Sequence, residues 1–143
     1  MNSVEMTELT RAMREIVWHF GPKGLDGTCC ANLSMPEFQA LDKVAETPDC
    51  PVQDIGLQLG FTKSGATRVV NRLEKKGYVQ KIKSNQDGRI CCVVITETGE
   101  HVLRSADAGY FNKLERLFSM MPKNAIQQMK HMLVTLSRTL KRE

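Results

Sequence analysis

The sequence predicts a mainly α-helical chain with one small β-hairpin, an α+β arrangement in which helices carry most of the structure. Apolar residues recur at alternating steps of three and four near both ends of the chain, the spacing of one helix face. Only between residues 78 and 95 does the period drop to two, where the β-rich runs YVQKIK and RICCVVI flank an Asp87-Gly88 turn. Charge is the third observation. From Phe61 to Ile90 the chain carries eight Lys or Arg against two acids, a local +6 in a chain of net +4. Nearly all of the positive field therefore comes from one short segment, which faces an anion.

At 143 residues and 41% hydrophobic content the chain has enough apolar side chain for one core, and a single domain is expected. Met6, Leu9, Met13, Ile16 and Phe20 form one stripe on a first helix over about residues 4–20, stopped by Gly21-Pro22. The run GPKGLDGTCCAN reads as a loop. SMPEFQALDKVAET then opens with Ser34 and Glu37 at capping-box spacing, and tolerates Pro36 because the first helical turn needs no N–H there. Phe38, Leu41, Val44 and Ala45 are its expected buried face. Pro48 and Pro51 end that helix and start the next, PVQDIGLQLG, with Val52, Ile55 and Leu59 inward and Gly60 as its stop.

One residue later, Thr62 is suited to cap a helix running to about Lys76 whose inward stripe is Ala66, Val69, Val70 and Leu73. Two short helices joined by so tight a turn form a helix-turn-helix, whose second helix enters the DNA major groove. Its outward side presents Lys63, Ser64, Thr67, Arg68, Asn71 and Arg72, donors and acceptors of the sizes that reach base edges and phosphates. The hairpin that follows is placed as a wing. Lys83, Asn85, Asp87 and Arg89 lie near its tip, where an Arg suits a narrow minor groove or a flanking phosphate.

Thr96 is suited to cap a long helix reaching Met121, with Val102, Leu103, Ala106, Tyr110, Leu114, Leu117 and Met121 in its stripe. Beyond Pro122, Ile126, Met129, Leu133, Leu136 and Leu140 repeat the three-four spacing. Such a seam meets another helix. A winged helix-turn-helix needs neither terminal seam for its own core, so the first and last stripes are expected to form a homodimer across a two-fold axis. The resulting division is a DNA-binding lobe over about 34–95, flanked by dimerisation helices over about 4–20 and 97–142. Two recognition helices would then read a near-palindromic operator with half-sites about one helical turn apart.

At this point the sequence resembles the MarR family of transcription regulators. The resemblance rests on IGLQLGFTKSGATRVVNRLEKKGYV, on DGR at 87–89 and on VVITETGE, in that order. It implies a winged helix-turn-helix dimer that binds double-stranded DNA, most simply as a repressor, with residues 62–76 as recognition helix. It also implies that the Asp87–Arg89 pair is the wing motif, with Arg89 reaching DNA and Asp87 holding basic residues in place. Family members respond to small phenolic ligands or to thiol oxidation, and an effector is expected in the cleft bordered by Trp18, His19 and Phe38. The chain departs from the pattern at Gly88, where a basic residue is common, and at Gly65, where a side chain is common.

Five cysteines, none in a C-x-x-C, do not make the disulfide framework of a secreted protein. Cys29 and Cys30, adjacent in a Gly-rich loop, are the candidate thiol or metal sensors. Cys91 and Cys92 point to opposite faces of a strand and read as small apolar fillers. His19, His101 and His131 lack ligand spacing, so no metal or cofactor is expected. Neither a phosphate loop, nor G-x-S-x-G, nor H-E-x-x-H occurs, which argues against an enzyme. Without a signal-like N-terminus or a membrane-length apolar run, the expected location is the cytoplasm. The competing reading keeps the fold and replaces DNA with a protein partner, which the charge of the second helix disfavours.

Overall fold

The structure, a computed structural model, describes residues 1–21 and 32–143. It comprises two compact units, Met1–Gly109 and Tyr110–Glu143. In the first, α1 (Ser3–Phe20) starts from a reciprocal cap: Asn2 Oδ1 accepts from the Val4 and Glu5 amides while the Glu5 carboxylate accepts from the Asn2 amide. None of its residues is buried.

The core begins with α2 (Met35–Glu46), which opens on the expected Ser34–Glu37 capping box. Its buried residues are Glu37, Phe38, Ala40, Leu41 and Val44. Ala45, expected inside, is exposed in the last turn, and Ala40 fills the inward position instead.

A strand that the sequence did not suggest follows. β1 (Cys50–Pro51) is two residues long and pairs antiparallel with β3, Cys50 opposite Val93 and Pro51 opposite Cys92. Proline is tolerated there because β1 is an edge strand, where one side of the backbone needs no ladder partner. The next helix, α3 (Val52–Leu59), buries Val52, Ile55 and Gly56. It ends where Gly60 turns left-handed at φ 65°, with the Phe61 amide donating back to the Gly56 carbonyl at 2.9 Å. A Cβ on Gly56 would stand 3.4 Å from both the Ala66 Cβ and the Phe61 carbonyl oxygen, so a small residue sets the close approach of α3 to α4 (Lys63–Lys75).

The helix α4 buries the four predicted residues, Ala66, Val69, Val70 and Leu73, and Thr62 Oγ1 caps it by accepting from the Gly65 amide at 3.1 Å. Past Gly77, at φ 81°, the chain enters β2 (Val79–Lys83) and returns in β3 (Cys91–Ile95). The three strands are ordered β1-β3-β2 and antiparallel, with Lys81 opposite Val93 and Lys83 opposite Cys91. Leu41, Ile55, Val69, Val70, Leu73, Val79 and Val93 are fully buried and form the core between helices and sheet.

Thr96 closes the lobe at the start of α5 (Glu97–Ser119). Its hydroxyl accepts from the Gly99 amide at 3.0 Å and donates to the Gly77 carbonyl at 2.6 Å. Gly99 is required here, because a Cβ would lie 2.1 Å from the Tyr78 carbonyl oxygen. In the second unit, α5 stops at Ser119 rather than Met121, and α6 (Lys123–Leu140) has no buried residue.

One ion cluster joins α2 to α4. The Glu37 side chain is 4% exposed; Oε2 accepts from Lys76 Nζ at 2.6 Å and Oε1 lies 3.1 Å from Arg72 Nε. Lys76 also donates to the Asn32 carbonyl. Removing Glu37 leaves two cations that can reach water, so the loss should fall below the roughly 3–5 kcal/mol for stranding a buried charge. It should exceed the roughly 1 kcal/mol of a lost cap. Glu37→Ala is therefore expected to lower stability by about 2 kcal/mol in urea unfolding, and a change under about 0.5 kcal/mol would refute the clamp. Gly99→Ala should also destabilise, because backbone rather than a flexible side chain must move.

Candidate nucleic-acid interface

The inward row of valines and leucine on α4 fixes its opposite side toward solvent. Lys63, Ser64, Arg68, Asn71 and Arg72 are exposed there and Thr67 is half-buried. Thr67 donates its hydroxyl proton to the Lys63 carbonyl at 2.8 Å, which leaves its oxygen as an acceptor. The first turn carries no acid, so the free amides and the positive end of the helix dipole are uncompensated.

The basic residues of this segment divide into two groups. Arg72 and Lys76 are engaged by Glu37. Arg72, expected as an outward contact, thus has its Nε committed to the lobe's own carboxylate. Lys81 Nζ lies 3.5 Å from Glu74 Oε1 and donates to Asn71 Oδ1 at 2.6 Å. By contrast, Lys63, Arg68, Lys75, Lys83 and Arg89 have no carboxylate at ion-pair distance among the described residues. These five carry most of the uncompensated field, since the single charge of Glu37 offsets only one of Arg72 and Lys76.

Local hydrogen bonds shape the wing tip. Asp87 Oδ1 accepts from the Arg89 amide at 3.0 Å, and the Asp87 carbonyl accepts from the Ile90 amide at 3.0 Å. The Ser84 hydroxyl accepts from the Gln86 and Asp87 amides, and the Ser84 amide donates to the Ile90 carbonyl. Asp87 therefore folds the turn, while the Lys83, Asn85 and Arg89 side chains are left exposed. A groove of about 290 Å³ brings Arg89 of the wing and Lys63 of α4 to one rim, with Cys91, Gln53 and Asp54 also lining it. Lys63 and Arg89, one from each predicted contact set, thus border the same groove.

The expected effector residues are placed differently. Phe38 is buried in the lobe core, whereas Trp18 is 59% exposed on α1 and His19 is exposed with Glu15 at 3.7 Å. Cys29 and Cys30 lie outside the described residues. Cys92 is buried as a strand filler should be, but Cys91, at the start of β3, is exposed. Cys50, which the sequence left without a role, is fully buried beside β3. Burial pushes the Cys50 and Cys92 thiols above their ordinary 9.0, with Asp54 and Asp49 respectively adding to the shift. Among the described residues no group of three His, Cys, Asp or Glu could hold a metal ion, and no helix is long and apolar enough to cross a membrane.

Residues 33–91, the span of this lobe, match the family model described as "MarR family". The lobe is thus similar to those of the MarR family. The uncharacterized HTH-type transcriptional regulator YfiV of Bacillus subtilis is 29% identical over 109 residues, 76% of this chain and 68% of the relative. Transcriptional repressor MprA of Escherichia coli is 30% identical over 57% of this chain, a match that spans 48% of MprA. The fold matches that of Streptococcus pneumoniae FabT, solved in complex with DNA, at a TM-score of 0.79 over 99% of both chains and 23% identity. Among the described residues six helices and a small antiparallel sheet thus follow one another in the winged-helix order of that fold.

Thiol chemistry gives a direct check on burial. At pH 7 an alkylating reagent should label Cys91 in the native protein and reach Cys50 and Cys92 only after denaturation, as tandem mass spectrometry would locate. Because the folded state holds those two thiols protonated, their contribution to stability is complete below pH 9.0 and falls as pH rises above it. Native labelling of Cys92 as fast as Cys91 would contradict the sheet packing.

Proposed function

We propose that the protein is a non-catalytic, cytoplasmic transcription regulator that binds double-stranded DNA sequence-selectively as a homodimer and represses by occluding its operator. The observation that carries this reading is the set of exposed cations without a carboxylate at ion-pair distance among the described residues, Lys63, Arg68 and Lys75 of α4 and Lys83 and Arg89 of the wing, with Lys63 and Arg89 on one groove. The helix α4 occupies the major groove, where Ser64, Thr67, Arg68 and Asn71 face base edges. The wing lies along the flanking minor groove or phosphates, with Arg89 as its leading contact. The family's regulators, among them a named repressor and a relative solved with DNA, support the same conclusion.

Dimerisation supplies the second half-site. Met6, Leu9, Met13 and Ile16 on α1 are each between 37% and 48% exposed, and Leu133, Leu136 and Leu140 on α6 are 40–60% exposed. Apolar rows at helical spacing that stay this open within one chain are suited to cover by another copy. Phe20, Ile126 and Met129, less exposed, extend the same two rows.

Fluorescence anisotropy against the DNA upstream of its own gene tests the proposal. Binding should be selective over random duplex and weaken steeply with added salt. Arg68→Ala is expected to weaken it by about 1–3 kcal/mol if the lost contact is to a base. Salt-insensitive or unselective binding would turn the reading toward a protein-binding winged helix. Separately, Leu133→Ala with Leu136→Ala should shift sedimentation from dimer toward monomer; an unchanged dimer would place the interface elsewhere.

A further inference from the structure

We infer that Lys81, a strand residue of the wing, is a specificity-determining positioning residue: it fixes the side-chain amide of Asn71 and sets a cation beside its oxygen, so that the recognition helix favours an acceptor over a donor on the base it faces. The inference rests on the DNA-binding reading above and refines it.

An ammonium group has three donors and no acceptor, so the edge of Asn71 that meets Lys81 Nζ at 2.6 Å must be the carbonyl oxygen. Lys81 is itself held. Its amide donates to Glu74 Oε2 at 3.1 Å, and its ammonium lies 3.5 Å from Glu74 Oε1. Glu74 and Asn71 are three residues apart on α4 and so are neighbours on one face. Three groups thus lock one another: the Glu74 carboxylate anchors the strand residue at both its backbone and its side chain, and the strand residue orients the amide.

A free Asn reads adenine with both halves of its amide, accepting from N6 and donating to N7. Here Lys81 takes one of the two lone pairs of Oδ1, and an adenine amino group donating to the other would stand beside the ammonium's positive charge. The NH2 can donate to N7 of either purine or to thymine O4, but the neighbouring ammonium is attracted by guanine O6 or thymine O4 and repelled by the adenine amino group. The base pair facing Asn71 should therefore be selected as guanine or thymine on the contacted strand and discriminate against adenine.

All single-base-pair variants of one operator half-site, titrated against wild type, Asn71→Ala, Lys81→Met and Lys81→Arg, decide the matter. Asn71→Ala identifies the base pair by losing preference there. At that pair the wild type should favour guanine or thymine over adenine by roughly tenfold. Lys81→Met should collapse or reverse that ratio while preferences elsewhere in the half-site hold, and Lys81→Arg, which keeps donors, should retain it. If Lys81→Met lowers affinity for every sequence by the same factor, Lys81 is only a phosphate contact and the inference fails. A wild-type preference for adenine there also overturns it. Absence of any selective binding by the wild type is a different result, sinking the regulator reading itself.

Discussion

Burying the Glu37 carboxylate is the constraint around which the DNA-binding lobe is organised. A carboxylate taken out of water is costly unless every lone pair is occupied, and this one meets the Ser34 amide, Lys76 and Arg72. The first contact closes the N-terminus of α2. The others grip the C-terminal end of α4. A single acid therefore ties the helix that begins the lobe to the helix that presents the basic face. It also offsets one of the two positive charges it engages, so the field of α4 is weaker than its composition suggests.

At the opposite end of α4, glycines act where the acid does not. Gly56 lets α3 approach to van der Waals distance of Ala66, and left-handed Gly60 reverses the chain into the Thr62 cap. Beyond α4, Tyr78 is a second fixed point: its amide donates to the Leu73 carbonyl, its carbonyl accepts from the Thr96 amide, and Gly99 makes room for it. Recognition helix, wing and α5 therefore diverge from a few residues of backbone. That geometry leaves the wing strands anchored at their base and shaped only by local turns at their tip.

Local patterns in the sequence revealed most of this, and non-local partnerships did not show. The buried row of α4, the Thr62 and Ser34 caps, the Gly60 stop and the hairpin all follow from spacing or from one side chain meeting nearby backbone. The Asn2–Glu5 box was equally readable, since Asn with Glu three residues on is a start signal. β1 was not, because two residues including a proline carry no period. Ala45 against Ala40 turns on where a helix face meets its neighbour, a question of tertiary packing. The greatest gap lies in the charges. Glu37 and Lys76 stand 39 positions apart, and nothing in either's surroundings in sequence distinguishes a clamp from a solvated face. Arg72 consequently looked like a free contact, and Lys81 entered only the count of positive charge.

Those two reassignments change what a basic helix means. A side chain counted as positive charge can serve three ends: to attract phosphate at long range, to hold the fold, or to orient a neutral group that does the reading. Arg68 and Lys63 are suited to the first, Arg72 and Lys76 perform the second, and Lys81 has the geometry of the third. Affinity for any duplex follows from the first group because counterion release depends on charge and not on sequence. Discrimination depends on the groups that meet base edges and on how their donors and acceptors are oriented. In this lobe the acids Glu37 and Glu74 sort the cations into these roles, so the few negative charges near α4 are as much a part of its recognition surface as the positive ones.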